Sequence, residues 1–248
     1  MDALLLAAGL GTRLKPITNS IPKCMVSICG RPLIDYWIEL FANNSNIDSI
    51  FINTFYLPEV VKEYVNNNKH RKKIILLNEK KLYGTGGTLV NTIPLIKSED
   101  VLVAHSDNLT VFNLNKFITR HMERPVACEA TIMTFITDDP KSCGIIELDD
   151  DGKLIKMHEK VEYPPGFLAN GAVYIFNKNI LHEFTKIKEL KKVEVLDISC
   201  EFMPLLFGRA ITYHNTIYHR DIGNMKSLEI ANRDFNLIYS SYQSRAIL

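Results

Sequence analysis

The stretch from Leu4 to Arg31 limits what this chain can fold into more than any other. Leu4, Leu5 and Leu6 form an apolar run with no polar face, which suits a central strand buried on both sides. The run gives way at once to Ala7, Ala8, Gly9 and Gly11. These residues carry almost no side chain, so the backbone can wrap closely around a ligand and turn its N–H groups inward. Thr12 and Arg13 follow, and Lys23 comes ten positions after the arginine. An anion, foremost a polyphosphate, is what such a loop would hold. A Gly-x-Gly after a strand also opens the dinucleotide fingerprint, but Leu14 stands where the third glycine belongs. No Gly-Lys-Ser/Thr follows, so the loop is not a Walker loop.

The rest of the chain alternates. Arg31 to Phe41 has helical spacing with Pro32 in its first turn, Ile47 to Asn53 is a strand candidate, Pro58 to Val65 a helix and Ile74 to Asn78 a buried strand. This order predicts a parallel sheet with helices on both faces. Gly84-Thr85-Gly86-Gly87-Thr88-Leu89 is a second glycine-rich turn that opens a helix, suited to a nucleoside or phosphate pocket. Val101 to His105 is an apolar strand that ends in Ser106-Asp107-Asn108. A carboxylate just past the end of a central parallel strand lies where α/β folds bind ligands, so Asp107 is a metal candidate; a helix N-cap is the plainer alternative. Ala127 to Phe135 reads as a strand, and Cys143 to Lys153 as a hairpin turning at Asp149-Asp150-Asp151-Gly152, whose carboxylates are solvated rather than metal-binding. Glu159 and Lys160 are neighbours on a strand, so they should point to opposite faces and an ion pair between them should not explain both. Ile180 to Leu190 reads as a helix, Asp197 as an N-cap, Ala210 to Tyr218 as a strand and Lys226 to Tyr239 as a closing helix before a short tail.

The 248 residues suffice for one large α/β domain. Lys plus Arg number 29 against 28 for Asp plus Glu, a balance with no general attraction for nucleic acid or anionic membrane. Five cysteines with no C-x-x-C pair argue for reduced thiols rather than a disulfide framework or structural zinc. With no basic segment ahead of the first apolar run and no span-length apolar stretch, a cytoplasmic location is expected.

G-x-G-T-R-L-x-P-x-T followed by P-K-x-M resembles the signature of the sugar-1-phosphate nucleotidyltransferases, and four further motifs follow in that family's order. The likeness runs from Leu4 to about Phe235 and is nearest to bacterial mannose- or heptose-1-phosphate guanylyltransferases. It implies a Rossmann-like, mixed and mostly parallel sheet with a small sugar-binding β subregion, in one domain over residues 1–248. The nucleotide-binding part would cover about 1–110 and the sugar-binding and second-metal part about 111–235. The resemblance puts Ala7, Ala8, Gly9, Gly11, Thr12, Arg13, Lys23, Asn78, Gly84, Thr85 and Ser106 around the nucleotide, with Asn78 and Glu79 as candidates to read the base. Arg13 would sit on the leaving pyrophosphate, Lys23 on the phosphates at the reacting centre, and Asp107 with Asp221 on Mg²⁺. Gly144, Glu159 and Asn170 would meet sugar hydroxyls and Lys160 the sugar phosphate. Ser106 replaces the family's glycine, which strains the expected close backbone packing. The implied reaction is a nucleoside triphosphate, GTP favoured, plus a sugar 1-phosphate giving a nucleotide sugar for polysaccharide biosynthesis and pyrophosphate. Open alternatives are thymidylyl, uridylyl or cytidylyl transfer, a sensor without turnover, and a dinucleotide-binding oxidoreductase. Oligomeric state stays open too, a homodimer being one choice.

Overall fold

The computed structural model describes residues 1–193 and 195–246, with side chains through residue 241. Its elements run β1 (Asp2–Leu6), β2 (Ser27–Ile28), β3 (Arg31–Pro32), α1 (Leu33–Ala42), β4 (Ile50–Thr54), α2 (Pro58–Asn66), β5 (Ile74–Asn78), α3 (Gly84–Thr92), β6 (Asp100–His105) and β7 (Asn108–Val111). They continue with α4 (Leu114–Met122), β8 (Ala130–Ile136), β9 (Gly144–Leu148), β10 (Leu154–Glu159), β11 (Leu168–Asn177), α5 (Lys178–Lys191), β12 (Ala210–His214), β13 (Tyr218–Asp221) and α6 (Met225–Ala246). The expected class, α/β with a mixed central sheet and helices, is the one observed.

The chain divides into two compact units, each drawn from separate stretches of sequence. The first comprises Met1–Leu4, Lys81–Ala104 and Leu114–Thr216. Here β10, β9, β11 and β6 adjoin in that order, all antiparallel, with β8 antiparallel to β11 and β12 parallel to β8. Its core is aromatic: Phe184 stacks on Phe202 at 4.1 Å between centroids, and Phe176 meets Phe184 edge-on at 5.4 Å. Such pairs contribute about 1 kcal/mol each beyond their buried area. The second unit comprises Leu5–Lys80, His105–Asn113 and Ile217–Leu248. In it β4 and β5 run parallel, β7 pairs antiparallel with β13, and Leu14, Val26, Leu33, Leu109, Ile222 and Phe235 form one buried cluster.

Three expectations about elements are corrected and one alternative is excluded. Arg31 and Pro32 do not begin the helix; they pair with Ser27 and Ile28 as a short ribbon, and α1 starts at Leu33 with Pro32 as its N-cap. The stretch from Ala210 to Tyr218 is not one strand but parts of two, β12 on β8 and β13 on β7, separated by the turn at Asn215, whose N–H donates to Thr134 O at 2.7 Å. Asp107 caps no helix, because the strand β7 follows it. The expected tail from Ser240 is helical through Ala246, and Ile247 and Leu248 lie outside the described residues.

Candidate active site

β1 ends at Leu6, and the small residues after it turn the chain sharply. Gly11 has φ +63°, and a Cβ there would stand 2.8 Å from Thr18 Cγ2, so the turn demands glycine twice over. Thr18 Oγ1 donates to Gly11 O at 2.7 Å and locks the turn. Thr12, Arg13 and Leu14 then form one 3₁₀ turn in which Leu14 is buried and Arg13 exposed. The loop is less open to an anion than its composition suggests. The N–H of Ala7 is already spent on Asn53 Oδ1 at 2.7 Å, so this amide does not face a ligand.

Lys23 opens another 3₁₀ turn and is only 8% exposed. Its Nζ lies 2.5 Å from Asp107 Oδ2 and 3.4 Å from Asp221 Oδ1. The two carboxylates, 114 residues apart in sequence (221 − 107), meet because β13 pairs with β7 so that Asp221 stands opposite Asn108, and Ile222 N–H donates to Asp107 O at 2.9 Å. Gly223 leaves room for them: a Cβ there would fall 2.5 Å from Asp221 Oδ2 and 3.0 Å from an Arg13 guanidinium nitrogen. Thus Arg13, Lys23, Asp107 and Asp221, chosen from three separate motifs, gather within one unit.

The charges there are unevenly balanced. Burial alone would depress Lys23, but Asp107 and Asp221 overcome it and hold its pKa above the usual lysine value. Burial would likewise raise Asp107, and Lys23 reverses that so that it stays ionised. Asp221 goes the other way: burial first, then the adjacent Asp107, push its pKa up. The two carboxylates share one ammonium between them, and the Arg13 guanidinium adds a second positive charge on the Asp221 side. Their all-oxygen donor set fits Mg²⁺, which takes hard oxygen ligands and completes its shell with water and phosphate. No group of three or more His, Cys, Asp or Glu suited to a metal occurs among the described residues, so protein ligands alone would leave most positions open. His219, two residues before Asp221, is kept neutral, its pKa pushed down to about 3 by burial.

Ser106 is accommodated without strain. Its N–H and Oγ both donate to Leu6 O, at 3.0 and 2.7 Å, so the extra side chain folds back on the backbone. Asn78 is exposed at the end of β5, and Glu79 follows it with its N–H on Thr54 O at 2.8 Å and its Oε1 accepting from Asn53 Nδ2 at 3.0 Å. Sequence reading missed Asn53, although an amide ending the otherwise apolar run Ile50 to Ile52 is an unusual residue to bury.

The remaining candidates lie in the first unit. Gly84 and Thr85 do not stand open as a pocket floor. Gly86 and Gly87 N–H donate to Leu196 O, while Thr85 Oγ1 donates to Asp197 Oδ2 and accepts from Ile198 N–H. Gly84, at φ +74°, would place a Cβ 2.3 Å from that same Leu196 oxygen. Asp197 does cap, its side chain accepting from Ser199 N–H. Register explains why Gly144 and Glu159 meet: β9 and β10 pair them directly, and a Cβ on Gly144 would be 2.6 Å from Glu159 Oε2. Asn170 donates to Tyr174 OH at 2.9 Å and accepts from Ala172 N–H at 3.0 Å, which braces the irregularity in β11 where Ala172 has φ +50°. The expected separation of Glu159 from Lys160 does not hold. Their side chains pair at 3.1 Å, because β10 stops at Glu159 and Lys160 adopts φ +49°, which breaks the alternation of a strand.

Comparison with known proteins bears on the family and the fold. The Nucleotidyl transferase family matches residues 2–236. The mannose-1-phosphate guanylyltransferase of Mycobacterium tuberculosis is 26% identical over 228 residues, 90% of this chain and 61% of that one. The D-glycero-alpha-D-manno-heptose 1-phosphate guanylyltransferase of Campylobacter jejuni is 30% identical over 223 residues, 90% of this chain and 95% of that one. Relatives named for thymidylyl and adenylyl transfer match as well. The chain spans 45, 54 and 61% of the length of three of the curated relatives it matches. Among solved structures, HddC from Yersinia pseudotuberculosis complexed with GMP-PN superposes with a TM-score of 0.76 at 25% identity, covering 94% of this chain and 99% of that one. The fold, the motif order and the family match converge: this chain belongs to the nucleotidyl transferase family.

Proposed function

We propose that the protein transfers a nucleotidyl group from a nucleoside triphosphate to a sugar 1-phosphate and releases pyrophosphate. The observation that carries this reading is Lys23 held between Asp107 and Asp221 with the Arg13 guanidinium close behind. In such a transfer an oxygen of the sugar phosphate attacks the α-phosphorus in line with the departing pyrophosphate, and no covalent enzyme intermediate is needed. The protein's task is to position and to neutralise. Lys23 meets the phosphates near the reacting centre, Arg13 takes the charge that builds on the leaving pyrophosphate, and the loop from Ala8 to Thr12 bounds the triphosphate. Asp107 and Asp221 would hold Mg²⁺, which when bound supplies Lewis-acid neutralisation of the phosphate oxygens. Gly144, Glu159, Lys160 and Asn170 form the sugar-phosphate side. In that role Glu159 must exchange its bond to Lys160 for one to substrate, which leaves Lys160 for the phosphate.

GTP with a mannose- or heptose-type 1-phosphate is the favoured pair. Its support is the naming of guanylyltransferases among the relatives, two of which are matched over nearly their whole length. The deciding experiment offers GTP, UTP, dTTP, CTP and ATP with a panel of sugar 1-phosphates and reads pyrophosphate release in Mg²⁺. Release with GTP and a mannose- or heptose-type sugar is expected. No release with any pair removes the reading, and release with another nucleotide corrects the base.

A further inference from the structure

Lys23 joins the small-residue loop to the carboxylate pair within one unit. Its backbone opens the 3₁₀ turn Lys23–Met25, and a Cβ on Gly11 would stand 3.1 Å from the Cβ of Lys23, so the root of this side chain lies against the loop. The tip lies elsewhere. Nζ meets one oxygen of each carboxylate, Asp107 Oδ2 at 2.5 Å and Asp221 Oδ1 at 3.4 Å. Lys23 is 8% exposed, whereas the Asp107 and Asp221 side chains are 32% and 54% exposed, so the pair is within reach of ions in solution while the ammonium comes to it from the protein side. Arg13 and Asp221 both lie beside Gly223. The formal charges of the four groups therefore cancel within the cluster.

Lysine carries a compact charge on a flexible four-carbon stem. With its root fixed beside the loop, its tip can exchange the carboxylates for a phosphate without any movement of the backbone. A divalent cation has to replace this ammonium or sit against it, and it adds two charges to a cluster whose formal charges already cancel. A triphosphate changes both conditions, because it draws the ammonium away and brings negative charge of its own. We infer that Lys23 competes with Mg²⁺ for the carboxylate pair: its ammonium shields Asp107 and Asp221 from the free ion and releases them to it when a triphosphate binds, so that metal and nucleotide enter together. This rests on the nucleotidyl-transfer reading above and adds the order of binding at that same site.

The test measures binding of Mn²⁺, a paramagnetic stand-in for Mg²⁺, to the full-length chain by water-proton relaxation, first without nucleotide and then with a non-hydrolysable triphosphate analogue. It compares the native protein, Lys23→Met, Asp107→Asn and the double variant. Methionine keeps the length of the side chain and removes its charge. Without nucleotide, Lys23→Met should bind Mn²⁺ about tenfold or more tightly than the native protein, since a unit charge in contact with the pair is gone. Adding Asp107→Asn should abolish that gain, because the lysine acts through this carboxylate. The analogue should tighten Mn²⁺ binding by a larger factor in the native protein than in Lys23→Met; chelation by the triphosphate is common to both and drops out of the ratio. A merely structural lysine would leave the metal affinity of the folded variant no higher than native. If Lys23→Met does not fold, Lys23→Gln carries the same comparison. Mn²⁺ binding no tighter in the folded Lys23 variant overturns the inference, as does equal tightening by the analogue in both proteins. Tighter binding in the variant with no pyrophosphate release by the native protein from any substrate pair keeps the competition and removes the proposed reaction; release with unchanged Mn²⁺ binding does the reverse.

Discussion

Two acidic groups flank the strand β6, Asp100 at its start and Asp107 just past its end, and their surroundings differ in kind. Asp100 accepts from Asn177 Nδ2 at 3.0 Å, faces His121 Nε2 at 3.1 Å and has Arg124 at 3.6 Å, while His121 Nδ1 meets Thr131 Oγ1 at 2.9 Å. Its pKa lies below the usual value because His121 and Asn177 outweigh burial. His121 is fully buried and every ring nitrogen is engaged. Asp107 shares one lysine with a second carboxylate, and Asp221 is driven upward. The first cluster is closed on itself and serves stability. The second sets two carboxylates side by side and drives the pKa of one of them up, the kind of perturbed pair that marks a candidate functional site.

Substitutions can break this distinction. The largest effect expected is from Asp107→Asn or Asp221→Asn, each lowering kcat by roughly a hundredfold or more, since removing a charge from a shared metal site costs about 3 kcal/mol of transition-state stabilisation. The urea midpoint should hardly fall for Asp221→Asn, which relieves carboxylate repulsion, and should fall for Asp107→Asn, which also removes the partner that holds the buried Lys23 ammonium. Near-native turnover in Mg²⁺ would take that residue out of the site. Next come Lys23→Ala and Arg13→Ala, each expected to reduce kcat about tenfold to a hundredfold while the KM for sugar phosphate stays close to native. A Lys23 variant changed only in that KM would place the lysine on the sugar side instead.

Asp100→Ala should show the opposite profile. It leaves His121 and Asn177 without their acceptor and should cost about 2 kcal/mol in urea unfolding, with turnover per folded molecule unchanged. A loss of kcat there would erase the contrast between the clusters. The smallest effect is in pH. Burial holds the His121 pKa below its ordinary 6.5. The unfolded chain therefore binds a proton that the folded chain does not, and stability falls as pH drops through 6.5 toward the folded value. The thermal midpoint should decline between pH 7 and pH 5, and His121→Gln should flatten part of that slope; a slope of the same size in the variant would assign it to other groups.

Much of the candidate site was legible locally. The apolar run to Leu6, the small residues after it, and Arg13 with Lys23 mark the loop because wrapping a ligand closely needs small residues and positive charge in one short stretch. Asp107 was legible for a similar reason, an acidic residue directly after an apolar strand. Other features were not. Neighbours were expected to alternate at Glu159 and Lys160, yet one left-handed residue turns them together. Thr85 has the composition of a pocket residue, but the segment from Leu196 to Ile198, 111 positions on (196 − 85), occupies its hydroxyl.

The sequence by itself determined the α/β class, the order of the motifs and which residue types could bear phosphate, metal and sugar, since each is a property of a short window of chain. Tertiary structure alone decided which of them meet. The split of residues 210–221 into β12 and β13 brings Asp221 beside Asp107, and the end of β4 makes Asn53 a bridge from Ala7 to Glu79. Such partners lie 26 to 114 residues apart (79 − 53 and 221 − 107), and no local periodicity records a bond whose two ends are joined only when strands pair.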